Sequence, residues 1–149
     1  MPDSEKTKRA QRPLELILAR NLLTSLSTPG FLVDGDAALV FYNEAAAALL
    51  GRSFEDAGQM SADEWTTAFG PIASGGGAMS VDELSLTDAI RQGRPAHGDY
   101  TIRTASEDAR RIEAAAFPIT ASPHGSSGAM IMFWPAPAAA PASENGASA

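Results

Sequence analysis

Cysteine is absent from the 149-residue chain. That absence excludes disulfide scaffolds, thiolate zinc sites, cysteine nucleophiles, iron–sulfur clusters and flavin–cysteinyl photochemistry. Long apolar runs are missing as well, and no stretch approaches the roughly 20 residues that a bilayer-spanning helix needs. The opening residues Met1-Pro2-Asp3-Ser4-Glu5-Lys6 are polar and hold no signal-peptide core, so a cytoplasmic protein is the expectation. Positive charge is scarce: 11 basic residues face 18 acidic ones, a net charge of −7. Lys6, Lys8, Arg9 and Arg12 sit in the first 12 residues, leaving seven basic against 16 acidic on the rest, a net of −9. An acidic body repels phosphate backbones and anionic lipid, so neither nucleic acid nor a membrane is an expected partner.

A hydrophobic content of 44 % over this length suffices for one folded domain with its own core. Residues 1–12 lack apolar periodicity and read as a flexible arm, with the cations solvated and not gathered into a patch. Pro13 suits the first turn of a helix over 13–27. Along that helix Leu14, Leu18 and Leu22 recur every four residues, and Ile17, Leu23 and Leu26 widen the stripe. Glu15, Arg20, Asn21 and Ser25 form its polar side. Such a stripe is expected to be buried, either on the domain's own sheet or against the same helix of a second chain. Thr28-Pro29-Gly30 ends it.

Phe31-Leu32-Val33 and Leu39-Val40-Phe41-Tyr42 predict a hairpin around Asp34-Gly35-Asp36, with Gly35 expected to supply a positive φ. Asn43 is placed to cap a short helix over Glu44–Leu50 that Gly51 stops. Residues 52–85 are the least regular. Asp63-Glu64-Trp65 suggests the start of a short helix, and Ser74-Gly75-Gly76-Gly77 reads as a flexible loop without the Lys-Ser/Thr of a phosphate site. Leu84, Leu86 and Ile90 mark a further helix, capped by Ser85 or Thr87 and ended by Gly93-Arg94-Pro95. Three strands follow: one alternating through Tyr100, Ile102 and Thr104, one over Arg111–Phe117 closed by Pro118, and one over Ala129–Trp134. Turns are expected at Ser106-Glu107-Asp108 and over 122–128. The last strand is apolar on both faces, which places it centrally in the sheet. Residues 136–149, rich in Ala and Pro, read as a disordered tail.

This order predicts an α+β fold, one five-stranded antiparallel sheet with helices on one face. The chain here resembles the PAS family. The resemblance is carried by Thr28-Pro29-Gly30-Phe31-Leu32-Val33-Asp34-Gly35-Asp36, by Leu39-Val40-Phe41-Tyr42-Asn43-Glu44-Ala45-Ala46 and by Leu49-Leu50-Gly51-Arg52. It continues in Leu86-Thr87-Asp88-Ala89-Ile90 with Gly93-Arg94-Pro95, in Phe117-Pro118-Ile119 and in Gly128–Phe133. It implies a PAS domain over 13–135 with strand order 2-1-5-4-3, a pocket under the helices, and sensory or regulatory work in signal transduction, often as a dimer. The chain departs from the family at Trp134-Pro135-Ala136-Pro137, where an Asp-x-Thr often couples the last strand to an output helix. No covalently attached output is therefore expected, and a signal would pass through a homodimer built on helix 14–26 or through a separate effector protein.

Candidate chemistry is sparse. Neighbouring carboxylates such as Asp63/Glu64 and Asp82/Glu83 splay about 100° apart on a helix and read as solvated first turns. No Gly-x-Ser-x-Gly elbow occurs, and a non-enzymatic protein is the expectation. Histidine occurs at His97 and His124 alone, without a carboxylate at ligand spacing, so no metal site is expected. Because haem-binding relatives place a histidine in or just after the helix matching 86–92, His97 is a candidate haem ligand, its alternative being an exposed histidine at a strand edge. The candidate ligand- or cofactor-binding set is Phe31, Val33, Tyr100, Ile102, Ile112, Ala114, Ala116, Met130 and Met132 from strands, with Leu86 and Ile90 from the helix. Small residues at 114 and 116 leave space, and methionine adapts to irregular ligands. The same residues would equally serve as a plain core. Two functions follow: a module that dimerises and binds a partner or small apolar ligand, or a sensor loaded with haem or non-covalent flavin.

Overall fold

A computed structural model of the chain describes residues 14–73, 77–104, 106, 108–122 and 125–137, with the backbone alone for 121, 122 and 125–127. The expected arm, Pro13, His124 and the tail from residue 138 lie outside the described residues, as do 74–76 of the glycine-rich loop. Helix α1 spans Leu14–Ser25 and leads into β1 (Gly30–Asp34) and β2 (Leu39–Tyr42). Helices α2 (Glu44–Leu50), α3 (Phe54–Ala57) and α4 (Ala62–Ala68), a 3₁₀ turn at Val81–Glu83 and α5 (Ser85–Gln92) follow. Strands β3 (Ala96–Arg103), β4 (Ala109–Ser122) and β5 (Gly125–Pro135) complete one antiparallel sheet of order β2-β1-β5-β4-β3.

Local chemistry explains most boundaries. Asn43 caps α2 by accepting from the Ala46 amide, and Gly51 ends the helix in the left-handed region at φ 81°. Ser61 and Glu64 form a reciprocal capping box at the start of α4. In the β1–β2 turn the Asp34 carboxylate accepts from the amides of Asp36 (2.9 Å) and Ala38 (3.1 Å). The positive φ falls on Ala37 (64°) and not on Gly35, which corrects the expectation.

Other boundaries differ from those read in the sequence. Helix α5 has Leu84 at its N-cap and no side-chain cap; Ser85 and Thr87 spend their hydroxyls on Tyr100 and on the Val81 carbonyl. Strand β4 runs on through Pro118, which pairs with Ala129 of β5. The β3 partner ends at Ala116 opposite Ala96, so Pro118 lies where β4 is an edge and its missing amide breaks no ladder bond. Consequently β4 and β5 reach into the span expected to be a turn.

The sheet separates two cores. On the inner face α2–α5 cover Val33, Ile102, Ile112, Ala114, Ala116, Ile131 and Phe133, with Trp65 and Phe69 packed above them. On the outer face α1 buries Leu16 and Leu23 against Leu32 and Val40, with Ala19, Leu26, Met130 and Met132 alongside. Each such buried leucine contributes about 2 kcal/mol. Gly30 permits the close approach: a Cβ there would stand 2.6 Å from a Leu23 methyl and 2.9 Å from the Met132 sulfur. Arg20 lies 4.5 Å over the Phe41 ring and clamps the polar edge of α1 to β2.

The leucines of the four-residue repeat do not reach this sheet. Leu14, Ile17, Leu18 and Leu22 are 64, 45, 56 and 50 % exposed. The helix thus has two apolar faces, one seated on its own sheet through Leu16, Ala19, Leu23 and Leu26, and one turned to solvent.

Candidate functional site

A cavity of about 70 Å³ lies between the inner face of the sheet and the helices. Alternation along the strands selects its walls. Phe31, Tyr100, Ile102, Ile112, Ala114, Ala116, Ile131 and Phe133 point inward, joined by Leu39 and Tyr42 of β2, and Trp65, Phe69 and Leu86 close the other side. No carboxylate, imidazole or amine occurs among the lining residues.

Polar atoms at the cavity are already occupied. The Tyr100 hydroxyl accepts from the Ser85 amide at 2.9 Å and is 2.7 Å from the Ser85 hydroxyl. Tyr42 donates its hydroxyl to the Arg52 carbonyl at 2.6 Å, and the Trp65 indole donates to the Ala37 carbonyl at 2.8 Å. Among the described residues no buried side-chain polar atom lacks a partner. The Tyr42 phenol is held above its ordinary pKa, chiefly by burial and further by Asp56, with Arg52 opposing. The void is therefore apolar, and nothing in its walls calls for a charged or strongly polar occupant.

Seven of the eleven residues singled out in the sequence line this cavity: Phe31, Leu86, Tyr100, Ile102, Ile112, Ala114 and Ala116. Val33 is fully buried in the same core without facing the void. Ile90 packs half-buried against the same core and lines a separate groove beside Asp82 and Arg91. Met130 and Met132 lie on the outer face beneath α1, which corrects the expectation that they line the pocket. Their odd-numbered neighbours Ile131 and Phe133 take that role, because β5 is covered on both sides and apolar content alone does not reveal its inward parity. Trp65 and Phe69 reach the cavity from a segment without strand periodicity, and Leu39 reaches it from β2, whose four residues are apolar or aromatic throughout and do not reveal which of them face inward.

His97 sits on the outward face of β3, its imidazole 3.8 Å from the Glu113 carboxylate. It does not line the cavity, and this placement leaves it unable to ligate a group held there. Neither haem nor flavin fits the walls described: the void is several-fold smaller than the roughly 300–1,000 Å³ of sites for such ligands. Its lining also supplies no histidine or methionine for iron and no Asn or Gln for a flavin ring.

No protein-family model matches the sequence, and no curated protein matches it. Solved structures do. A PAS domain from Colwellia psychrerythraea is similar at TM-score 0.60 and 14 % identity, over 80 % of this chain and 97 % of that one. The PAS domain of nitrogen regulation protein NR(II) from Vibrio parahaemolyticus gives TM-score 0.57 and 16 % identity, over 80 % and 98 %. The LOV protein of Rhodobacter sphaeroides gives TM-score 0.65 and 13 % identity, over 91 % of this chain and 75 % of that one. With the strand order β2-β1-β5-β4-β3, helices over the inner face and a cavity beneath them, the chain has the PAS fold.

Proposed function

We propose that this protein is a non-enzymatic sensory or regulatory module of signal transduction that works as a homodimer through α1. The observation that carries the reading is the exposed ridge Leu14–Leu18–Leu22, flanked by Ile17, on a helix whose opposite side is already anchored to its own sheet. A helix apolar on both sides is one that is buried on both sides, and contiguous exposed apolar surface marks an interaction site.

A second copy of the chain is the occupant that suits this ridge. The leucines are spaced symmetrically about Leu18. A two-fold axis passing beside Leu18 sets Leu14 against the partner's Leu22, the self-complementary arrangement of an isologous interface. Rows at four-residue spacing interdigitate at a crossing angle of about −50°. The regulatory part of the proposal is supported by the fold shared with a nitrogen regulation protein. The cavity then takes a small apolar molecule of a few heavy atoms, since it is smaller than the roughly 150 Å³ that admits benzene. The cavity is coupled to α1 through the sheet: β1 and β5 carry Phe31, Ile131 and Phe133 inward, and Leu32, Met130 and Met132 outward against the seated side of the helix.

Sedimentation velocity over a dilution series tests this. The proposal expects a reversible dimer that Leu18→Glu converts to a folded monomer. An unchanged distribution for Leu18→Glu refutes it. Deleting α1 is a poorer test, because it would also uncover Leu32, Val40, Met130 and Met132. The rival reading, a sensor loaded with haem or flavin, is read from the absorption spectrum of freshly purified protein. A Soret or flavin band that persists through gel filtration would establish it.

A further inference from the structure

We propose that His97, Asp99 and Glu113 form a surface site for a divalent late transition ion of the Zn²⁺ type, on the outer face of the β3–β4 ribbon. Along the sequence His97 and Asp99 alone do not complete a ligand set. Strand geometry supplies the set instead. His97 and Asp99 are two residues apart on β3 and share a face, and Glu113 of β4 stands directly opposite Asp99 in the antiparallel register.

The donor atoms of all three side chains lie within 4.8 Å of one another. Ligand atoms in a tetrahedral zinc shell with bonds of about 2.0–2.2 Å stand about 3.5 Å apart, so side-chain rotations of the exposed His97 and Asp99 and the half-buried Glu113 close the shell. One imidazole nitrogen and two carboxylate oxygens form a mixed donor set that favours Zn²⁺, Ni²⁺ or Cu²⁺ over Mg²⁺ and Ca²⁺. The fourth position is left to water.

A separate observation concerns charge. Asp99 and Glu113 are like charges placed face to face across a ladder, an arrangement that is destabilising by itself. Among the described residues the basic side chain within 4.0 Å of either carboxylate is His97, 3.8 Å from Glu113, and no arginine nitrogen comes that near to Asp99. A bound dication relieves that repulsion and brings both strands under one centre. The site faces away from the cavity and does not depend on the proposed dimer ridge.

Titration calorimetry of the full chain with ZnCl₂, paired with amide chemical shifts, tests the proposal. One Zn²⁺ is expected to bind per chain, shifting the amides of residues 97, 99 and 113, while MgCl₂ gives no comparable response. His97→Ala and Asp99→Asn, both on an exposed strand face, should each weaken binding by about tenfold or more. His124→Gln should bind as the unsubstituted chain does. Absence of binding, or affinity that survives His97→Ala and falls with His124→Gln, overturns the site.

Discussion

The side-chain amide of Asn43 donates to the Leu23 carbonyl at 3.0 Å across 20 residues of sequence. The same amide donates to the Thr28 carbonyl at 2.9 Å, and its oxygen accepts from the amides of Gly30 (3.1 Å) and Ala46 (2.9 Å). One buried residue thus caps α2, closes the C-terminal end of α1 and fixes the start of β1. Asn43→Ala removes a helix cap and takes a hydrogen-bond partner from the Leu23 carbonyl of α1 and from the Thr28 carbonyl beyond it. It should destabilise the fold by about 3 kcal/mol, measured by urea unfolding. A loss below about 1 kcal/mol would show that the junction is held by packing alone.

Gly30 provides a steric test of the same junction. Gly30→Ala places a methyl group 2.6 Å from Leu23 and 2.9 Å from Met132. Because overpacking of this kind costs about 1–3 kcal/mol, α1 should shift outward while β1 keeps its register. Methyl spectra should show the change at Leu23 and Met132, with Ile112 and Ile131 unmoved. Changes spread evenly over both cores would mean that α1 and the inner core are one unit.

Tyr42 predicts an alkaline limb. Burial raises its folded-state pKa, so the folded chain keeps a proton that the unfolded chain releases near pH 10. Stability from this group is complete below that pH and is lost as pH rises through the folded-state value. Tyr42→Phe should flatten the decline above pH 10. It should also cost about 1 kcal/mol at neutral pH, through the Arg52 carbonyl left without its partner. Stability profiles with identical alkaline slopes would contradict this.

Filling the cavity gives another test. Ala114 faces the void, and Ala114→Val supplies methyl groups to it. Xenon under pressure should shift the methyl resonances of Ile112 and Ile131 in the unsubstituted chain and leave them still in the variant. Equal responses would place the xenon elsewhere.

Much of the fold could be read from local chemistry. The β1–β2 hairpin, the Asn43 cap, the Gly51 and Gly93 stops and the central place of β5 each follow from a short run of residues whose own preferences agree with the structure. What stayed hidden depends on partners distant in sequence. The four-residue leucine repeat of α1 marks an apolar face but not the one the sheet covers, because Leu23 seats in the gap that Gly30 opens and Leu16 shares its face of the helix. Pro118 reads as a strand end unless the shorter reach of β3 is known. Most of the cavity lining was visible as strand alternation, whereas the inward parity of β5 and the approach of Trp65 and Phe69 were not. His97 looked solitary because Glu113 comes from another strand.

The leucine ridge of α1 carries the functional account, and the molar mass of the full chain by light scattering at micromolar concentration tests it most directly. The account predicts a particle of twice the 15.5 kDa chain mass, falling to the single-chain value for Leu18→Glu with an unchanged circular dichroism spectrum. A single-chain mass for the unsubstituted protein at every concentration would contradict it.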